Sequence, residues 1–280
     1  MLPLDLGLKV HQPGAFFEEM RNLWVEAEES GFQSLWGFDH LGPVDGAQCT
    51  EVYTTISALS THSRQARIGV LVTSVGYRHP ALLANMIATL DHITKGRMEL
   101  GLGAASRGFG ELDYNDYGLE YPDKHKDRIR RLEEACIVLR ELWTKERADF
   151  HGSFYTLKNT ACGVKPFQKP HPPIIVGGAS ARILRVSARY AQEWNISTRD
   201  PCKFRTISKQ LDKECLTIGR DPTTLKRSVQ IFLEGLDLRK IADLVRVFQA
   251  EGAQRIVLIP SPPYRPGLAS LLYETATKEH

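Results

Sequence analysis

The chain has 280 residues, of which 42% are hydrophobic and 25% charged, the balance of an ordinary soluble globular protein. Its formal net charge of +3, from 36 basic and 33 acidic residues, is too even to argue for nucleic acid or an anionic membrane as partner. Five cysteines (Cys49, Cys136, Cys162, Cys202 and Cys215), an odd number without a CxxC pair, read as free thiols of a reducing compartment. No run approaches the ~18 apolar residues of a membrane span. The amino terminus "MLPLDLGLKV" lacks a signal-peptide layout, so a cytoplasmic protein is expected.

Short apolar runs alternate with longer helical patterns along the chain. "LDLGLKV" (4–10) reads as a strand, "FFEEMRNLWVEAEESG" (16–31) as a helix closed by Gly31, "SLWGFD" (34–39) as a strand and 51–63 as a helix. "ARIGVLVTSV" (66–75) is rich in the β-branched residues that favour strands. Over 80–95, Leu82, Leu83, Met86, Ile87, Leu90 and Ile93 recur at three- and four-residue steps, which predicts a helix with these six on one face. Pro80 suits the first position of that helix and Gly96 the position past its end. "GRMELGLGA" follows as a strand, and 124–145 as a second strong helix that turns Cys136 to the core. The stretch 149–172 reads as a short hairpin and a proline-bearing surface excursion. Strands "PIIVGG", "EWNIST", "KRSVQIFLEG" and "QRIVLIP" then alternate with helices to the end. Eight such units predict an α/β chain folded as one (β/α)8 TIM barrel over 1–280, with 149–172 inserted between the helix of strand four and strand five.

In such barrels chemistry sits at the carboxyl ends of the strands. Strand one ends at His11, strand two at "GFDHL", strand four in "GLGAAS" and strand five in "GGAS". Asp39 and His40 are the best polar pair. A histidine at this rim can exchange a proton near neutral pH, or it can hold a loop by a structural hydrogen bond. Strand alternation lets one of the two face the barrel axis. "GGAS" runs into a helix at Ala181, which suits either a phosphate cradle or an ordinary turn. Metal ligands do not recur across the strand ends: strand one gives "VHQ", strand four no ligand and strand eight "LIP". No G-x-S-x-G supports a serine nucleophile.

Taken in order and at their spacings, "AEESGFQSLWGFDHL", "EVYTTISALSTHSRQARIGVLVTSVGYRHPALLANMIATLDHITKGRMELGLGAA", "YGLEYP", "RLEEACIVLRELWT", "FHGSFYTL" and "KPHPPIIVGG" resemble the luciferase-like monooxygenase superfamily. More narrowly, they resemble its deazaflavin (coenzyme F420)-dependent oxidoreductases. The resemblance covers about residues 4–198 and implies a (β/α)8 barrel with its cofactor at the carboxyl end. It implies that the bare backbone at "GLGAA" makes room for a flat tricyclic ring, with Gly103, Ala104 and Ser106 beside it. Leu71, Val72 and Thr73 match a strand-three bulge behind the ring, where a non-prolyl cis peptide often occurs. Gly177, Gly178, Ala179 and Ser180 match the phosphate-side loop. Asp39 and His40 match the pair beside the ring, with His40 as acid/base, Asp39 orienting its loop and His11 a weaker third candidate. An acid that serves as proton donor in the sugar-phosphate dehydrogenase branch is replaced by Ser106, for which Glu111 could substitute from a longer loop. The implied function is hydride transfer between F420 and a small organic substrate. An FMN-dependent two-component monooxygenase and a non-catalytic cofactor-binding protein are the alternatives. Relatives often form dimers, so a homodimer is the expected assembly.

Overall fold

The computed structural model describes residues 4–44, 46–105 and 109–278, with side chains from 111 onward in the last stretch. In chain order the first elements are β1 (Asp5–Lys9), α1 (Phe17–Ser30), β2 (Ser34–Gly37), α2 (Val52–Ser60), β3 (Arg67–Ser74), α3 (Pro80–Ile93) and β4 (Met98–Gly103). Next come α4 (Phe109–Asp116), α5 (His125–Thr144), β5 (Ala148–His151), β6 (Thr156–Thr160), β7 (Ile174–Gly177) and α6 (Ala181–Tyr190). The chain closes with β8 (Glu193–Ser197), α7 (Pro201–Thr217), β9 (Lys226–Phe232), α8 (Leu238–Ala250), β10 (Arg255–Ile259) and α9 (Leu268–Thr277). Strands β1, β2, β3, β4, β7, β8, β9 and β10 pair in parallel and close into a barrel, while β5 and β6 form a separate two-stranded sheet. The fold is a (β/α)8 barrel.

Local sequence sets the helix starts. Pro80 opens α3, and the His79 ring accepts from the Ala81 amide at 3.2 Å. Leu83, Ile87 and Leu90 of this helix are buried, whereas Leu82 and Ile93, expected on the same face, are exposed, because a face wide enough to hold all six turns its edges to solvent. Glu51 accepts from the first amides of α2, and Asp200 does the same for α7, where Pro201 takes the first position. The outward faces of the strands pack against the helices as one core that includes Leu8, Leu35, Ile68, Leu100, Val176 and Leu258. The hairpin β5–β6 docks on α5 because buried Glu134 accepts from the amides of Ser153, Phe154 and Tyr155. Gly152 permits this approach, since a Cβ there would lie 2.2 Å from Glu134 Oε2. Gln168 pins the segment that follows, bonding both oxygens of Asp91 and the Met98 carbonyl.

The inward positions alternate along each strand and stack in layers. At the amino-terminal end, Arg255 bonds Asp5, Glu99 and Glu193, and Lys226 joins Asp5 at 2.7 Å. Above them lie Trp36, Leu71, Ile175 and Val257. Gly69 makes the room for Trp36: a Cβ there would meet the indole at 2.5 Å. The next layer, at the carboxyl end, is polar again and holds Lys9, Asn195 and Gln230.

Candidate active site

A cavity of about 440 Å³ opens at the carboxyl end of the barrel. The loop after β2 supplies Asp39 and His40, β3 supplies Val72, and β4 ends there in Gly103, followed by Ala104. Gly177, Gly178 and Ala179 close the opposite side. Asp39 and His40 both line it, whereas alternation predicts one of them. β2 ends at Gly37, so the pair lies in the loop beyond the strand, where the two-residue period no longer applies.

His40 is paired with a carboxylate on this wall. Its Nδ1–H donates to Asp113 Oδ2 at 2.7 Å, which leaves Nε2 as the acceptor. Burial lowers the imidazole's pKa, and the Asp113 carboxylate opposes that shift. Asp113 is fixed in turn by the Tyr77 hydroxyl at 2.6 Å and the Gly42 amide at 3.1 Å. Asp39 has a different setting. Both its oxygens accept from Arg78, at 2.8 and 3.2 Å, and Arg78 also bonds Glu51 at 2.5 Å. Burial pushes the Asp39 carboxyl up, against the pull of that guanidinium. Occupied on both oxygens, Asp39 anchors the loop after β2 to the loop after β3.

Four residues expected at the site stand away from the cavity. His11 packs its ring against Phe38 and Phe232, with centroids 5.0 and 6.1 Å away, and the Tyr264 hydroxyl bridges its backbone amide and carbonyl. Thr73 is fully buried and shares a 2.5 Å hydrogen bond with the Tyr53 hydroxyl. Leu71 belongs to the barrel interior. Ser180 caps α6, accepting from the Ile183 amide at 3.4 Å. Ser106 lies outside the described residues.

The bare backbone of β4 also has another use. The Leu71–Val72 peptide is cis, and the β3–β4 register jumps between Val70 and Thr73. A Cβ on Gly101 would meet the Val70 carbonyl at 2.5 Å, and on Gly103 or Gly177 it would meet Val72 methyls at 2.8 and 2.9 Å. Those glycines make room for the protein's own bulge, and the bulge turns Val72 into the cavity. Ala104 and Ala105 line the cavity directly.

Several cavity groups escaped the sequence reading. Glu111 lies in the helix α4, and Asp113 of the same helix reaches His40. Gln230 and Asn195 form the floor. Gln230 Nε2 donates to Asn195 Oδ1 at 2.6 Å, and Asn195 Nδ2 donates to Ser228 Oγ at 2.8 Å. Both amides line the cavity. Lys203, in the first turn of α7, lines the rim. Beneath the floor, buried Lys9 donates to the Leu71 carbonyl and, at 3.0 Å, to Gln230 Oε1. The inward period Asp5, Gly7, Lys9 in "DLGLK" was the available signal for that lysine. Among the described residues no cluster of three or more His, Cys, Asp or Glu is arranged to hold a metal ion.

A model of the luciferase-like monooxygenase family matches residues 1–234. The chain belongs to that family. It is 32% identical over 204 residues to an F420-dependent glucose-6-phosphate dehydrogenase of Microbacterium testaceum, covering 71% of this chain and 59% of that one. It is 28% identical over 211 residues to an F420-dependent hydroxymycolic acid dehydrogenase of Mycobacterium tuberculosis, covering 74% and 56%. The matches thus span less than two thirds of the length of these curated relatives. An F420-dependent secondary alcohol dehydrogenase, solved with an F420-acetone adduct, superposes with a TM-score of 0.88 at 18% identity, over 99% of this chain and 100% of that one. At that identity the likeness is one of fold.

Proposed function

We propose that this member of the luciferase-like family is an F420-dependent oxidoreductase that moves a hydride between the deazaflavin ring and a small organic substrate. The observation that carries the reading is the His40–Asp113 pair on the wall of a small-residue cavity at the barrel mouth. The names of the F420-dependent relatives support the choice of cofactor.

The residues present suit such a ring. Val72 and Ala104 offer an apolar wall, and the floor amides of Gln230 and Asn195 offer donors to a heteroatom edge. The Gly177–Ala179 turn at the start of α6, with Lys203 across the rim, suits an anionic tail. When bound, the deazaflavin supplies a ring carbon that accepts or releases the hydride. His40 Nε2 accepts the hydroxyl proton of an alcohol as its C–H bond breaks. In the reverse direction the imidazolium returns that proton to the carbonyl oxygen. Asp113 holds the tautomer this requires.

The test is a titration with F420 and, separately, with FMN, followed by the absorbance of the ring. Saturable binding of F420 and not of FMN is expected; the opposite preference would move the chain to the FMN-dependent monooxygenases of this fold. With F420 bound, His40→Ala should lower turnover on a panel of alcohols and ketones by about 10²–10⁴-fold. Full turnover would remove His40 from the mechanism.

We also place the protein in the cytoplasm as a homodimer. Five free thiols support the first. The second is supported by Leu82 and Ile93, 57% and 48% exposed on α3 beside Met86. A monomeric mass in solution would exclude the dimer.

A further inference from the structure

We propose that Lys9 is a positioning residue of the cofactor cavity: from beneath, it fixes both the wall that Val72 forms and the floor that Gln230 forms. The inference rests on reading that cavity as the F420 site.

Lys9 is the last residue of β1 and is 3% exposed. Its ammonium bonds the Leu71 carbonyl, on the near side of the bulge, and Gln230 Oε1 at 3.0 Å. It also stands 4.6 Å from the centroid of the Phe38 ring, in the loop that carries Asp39 and His40. Three parts of the cavity therefore meet at one nitrogen.

Packing does not account for a lysine here. Its hydrogen-bond acceptors are a carbonyl and an amide oxygen, not carboxylates. The charged group that acts on it, Asp39, is held by Arg78. A buried ammonium satisfied by neutral dipoles costs stability that a methionine of similar length would not. Burial accordingly pushes the Lys9 pKa down to about 7, with Asp39 opposing.

What the lysine supplies is directional bonding. Leu71 and Val72 have no register partners on β4, so the strand ladder does not fix the bulge. Gly103 and Gly177 confine Val72 from the sides. Lys9 holds the same bulge from behind through the Leu71 carbonyl. On the floor, Gln230 is held between Lys9 and Asn195, which sets where its remaining N–H points.

The experiment compares the full-length wild type, Lys9→Met and Lys226→Met. Lys226 serves as the control because it joins Asp5 at the far end of the barrel. F420 is titrated into each, and the Kd, the absorption band of the bound ring and the Tm are read. A wall released by a fraction of an ångström should cost roughly tenfold or more in F420 affinity and shift the band in Lys9→Met. Lys226→Met should lower Tm while leaving affinity and band as in wild type. Should Lys9→Met fail to fold, Lys9→Gln is read in its place, since its shorter amide stops short of Leu71. Wild-type affinity and an unshifted band in the Lys9 variant, whatever its Tm, would overturn the inference. A wild type that binds neither F420 nor FMN would overturn instead the reading of the cavity.

Discussion

The two ends of the barrel interior are built on the same alternation and put it to opposite uses. At the amino-terminal end every buried charge meets its opposite: Arg255 bonds Asp5, Glu99 and Glu193, while Arg67 reaches Glu99 and Lys226 reaches Asp5. At the carboxyl end Lys9 is satisfied by a carbonyl and an amide, and His40 bonds Asp113 through Nδ1 while lining the cavity. The first arrangement pairs its charges with one another inside the protein, with Glu193 Oε1 left without a hydrogen-bond partner. The second leaves donors and acceptors facing a cavity. A polar layer in a barrel is therefore not evidence of a site by itself; what separates the two is whether the partners complete one another.

This contrast breaks most visibly at Arg255. Arg255→Met leaves Glu99 and Glu193 buried without the cation they share. Removing one partner of such a group costs about 3–5 kcal/mol. Urea unfolding should show that loss, while the folded fraction binds F420 as wild type does. Weakened binding at unchanged stability would mean that the two ends are not separate in function.

A smaller and sharper test uses two glycines. A Cβ on Gly69 would meet Trp36 at 2.5 Å and the Glu99 carbonyl at 2.7 Å, and on Gly101 the Val70 carbonyl at 2.5 Å. Neither neighbour can yield freely, so each Gly→Ala should cost about 1–3 kcal/mol by overpacking. Only Gly101→Ala pushes on the bulge, so only it should also weaken F420 binding. Equal affinity in the two variants would detach the bulge from the cavity.

The barrel was legible because each unit carries its own period and its own punctuation. Pro80 and His79 mark the start of α3, and "FHGSFYTL" is the turn of the β5–β6 hairpin. The rim pair Asp39–His40 was legible because it follows an apolar strand directly. The inward layers were harder to read. Strands buried on both faces look like apolar runs, so the alternation Asp5–Gly7–Lys9 or Glu99–Gly101–Gly103 hides among leucines. Asp113 was not legible as a partner of His40: 73 residues separate the two, and only tertiary packing brings α4 beside the loop after β2. The small residues of "GLGAA" signalled close approach correctly, but not whose atoms approach. Backbone glycines accept a ligand or another strand equally well.

The smallest effect expected is at Asp113, and it tests how the open end is tuned. Burial lowers the His40 pKa, and the Asp113 carboxylate works against that shift. Asp113→Asn removes the opposing charge, so the pKa should fall further below 6.5. Alcohol oxidation needs neutral His40, so the acid limb of its pH–rate profile should move to lower pH. Ketone reduction needs the imidazolium and should lose rate at neutral pH. Stability follows the same sign. Because the folded pKa lies below 6.5, the unfolded chain binds this proton first, and stability is lost as pH falls from 6.5 through the folded value. In Asp113→Asn that loss should extend to lower pH. The drop in turnover should stay below the 10²–10⁴-fold or so expected for deleting the imidazole, because the asparagine oxygen can still accept from Nδ1–H. An acid limb that stays in place would show that Asp113 holds the ring without tuning it.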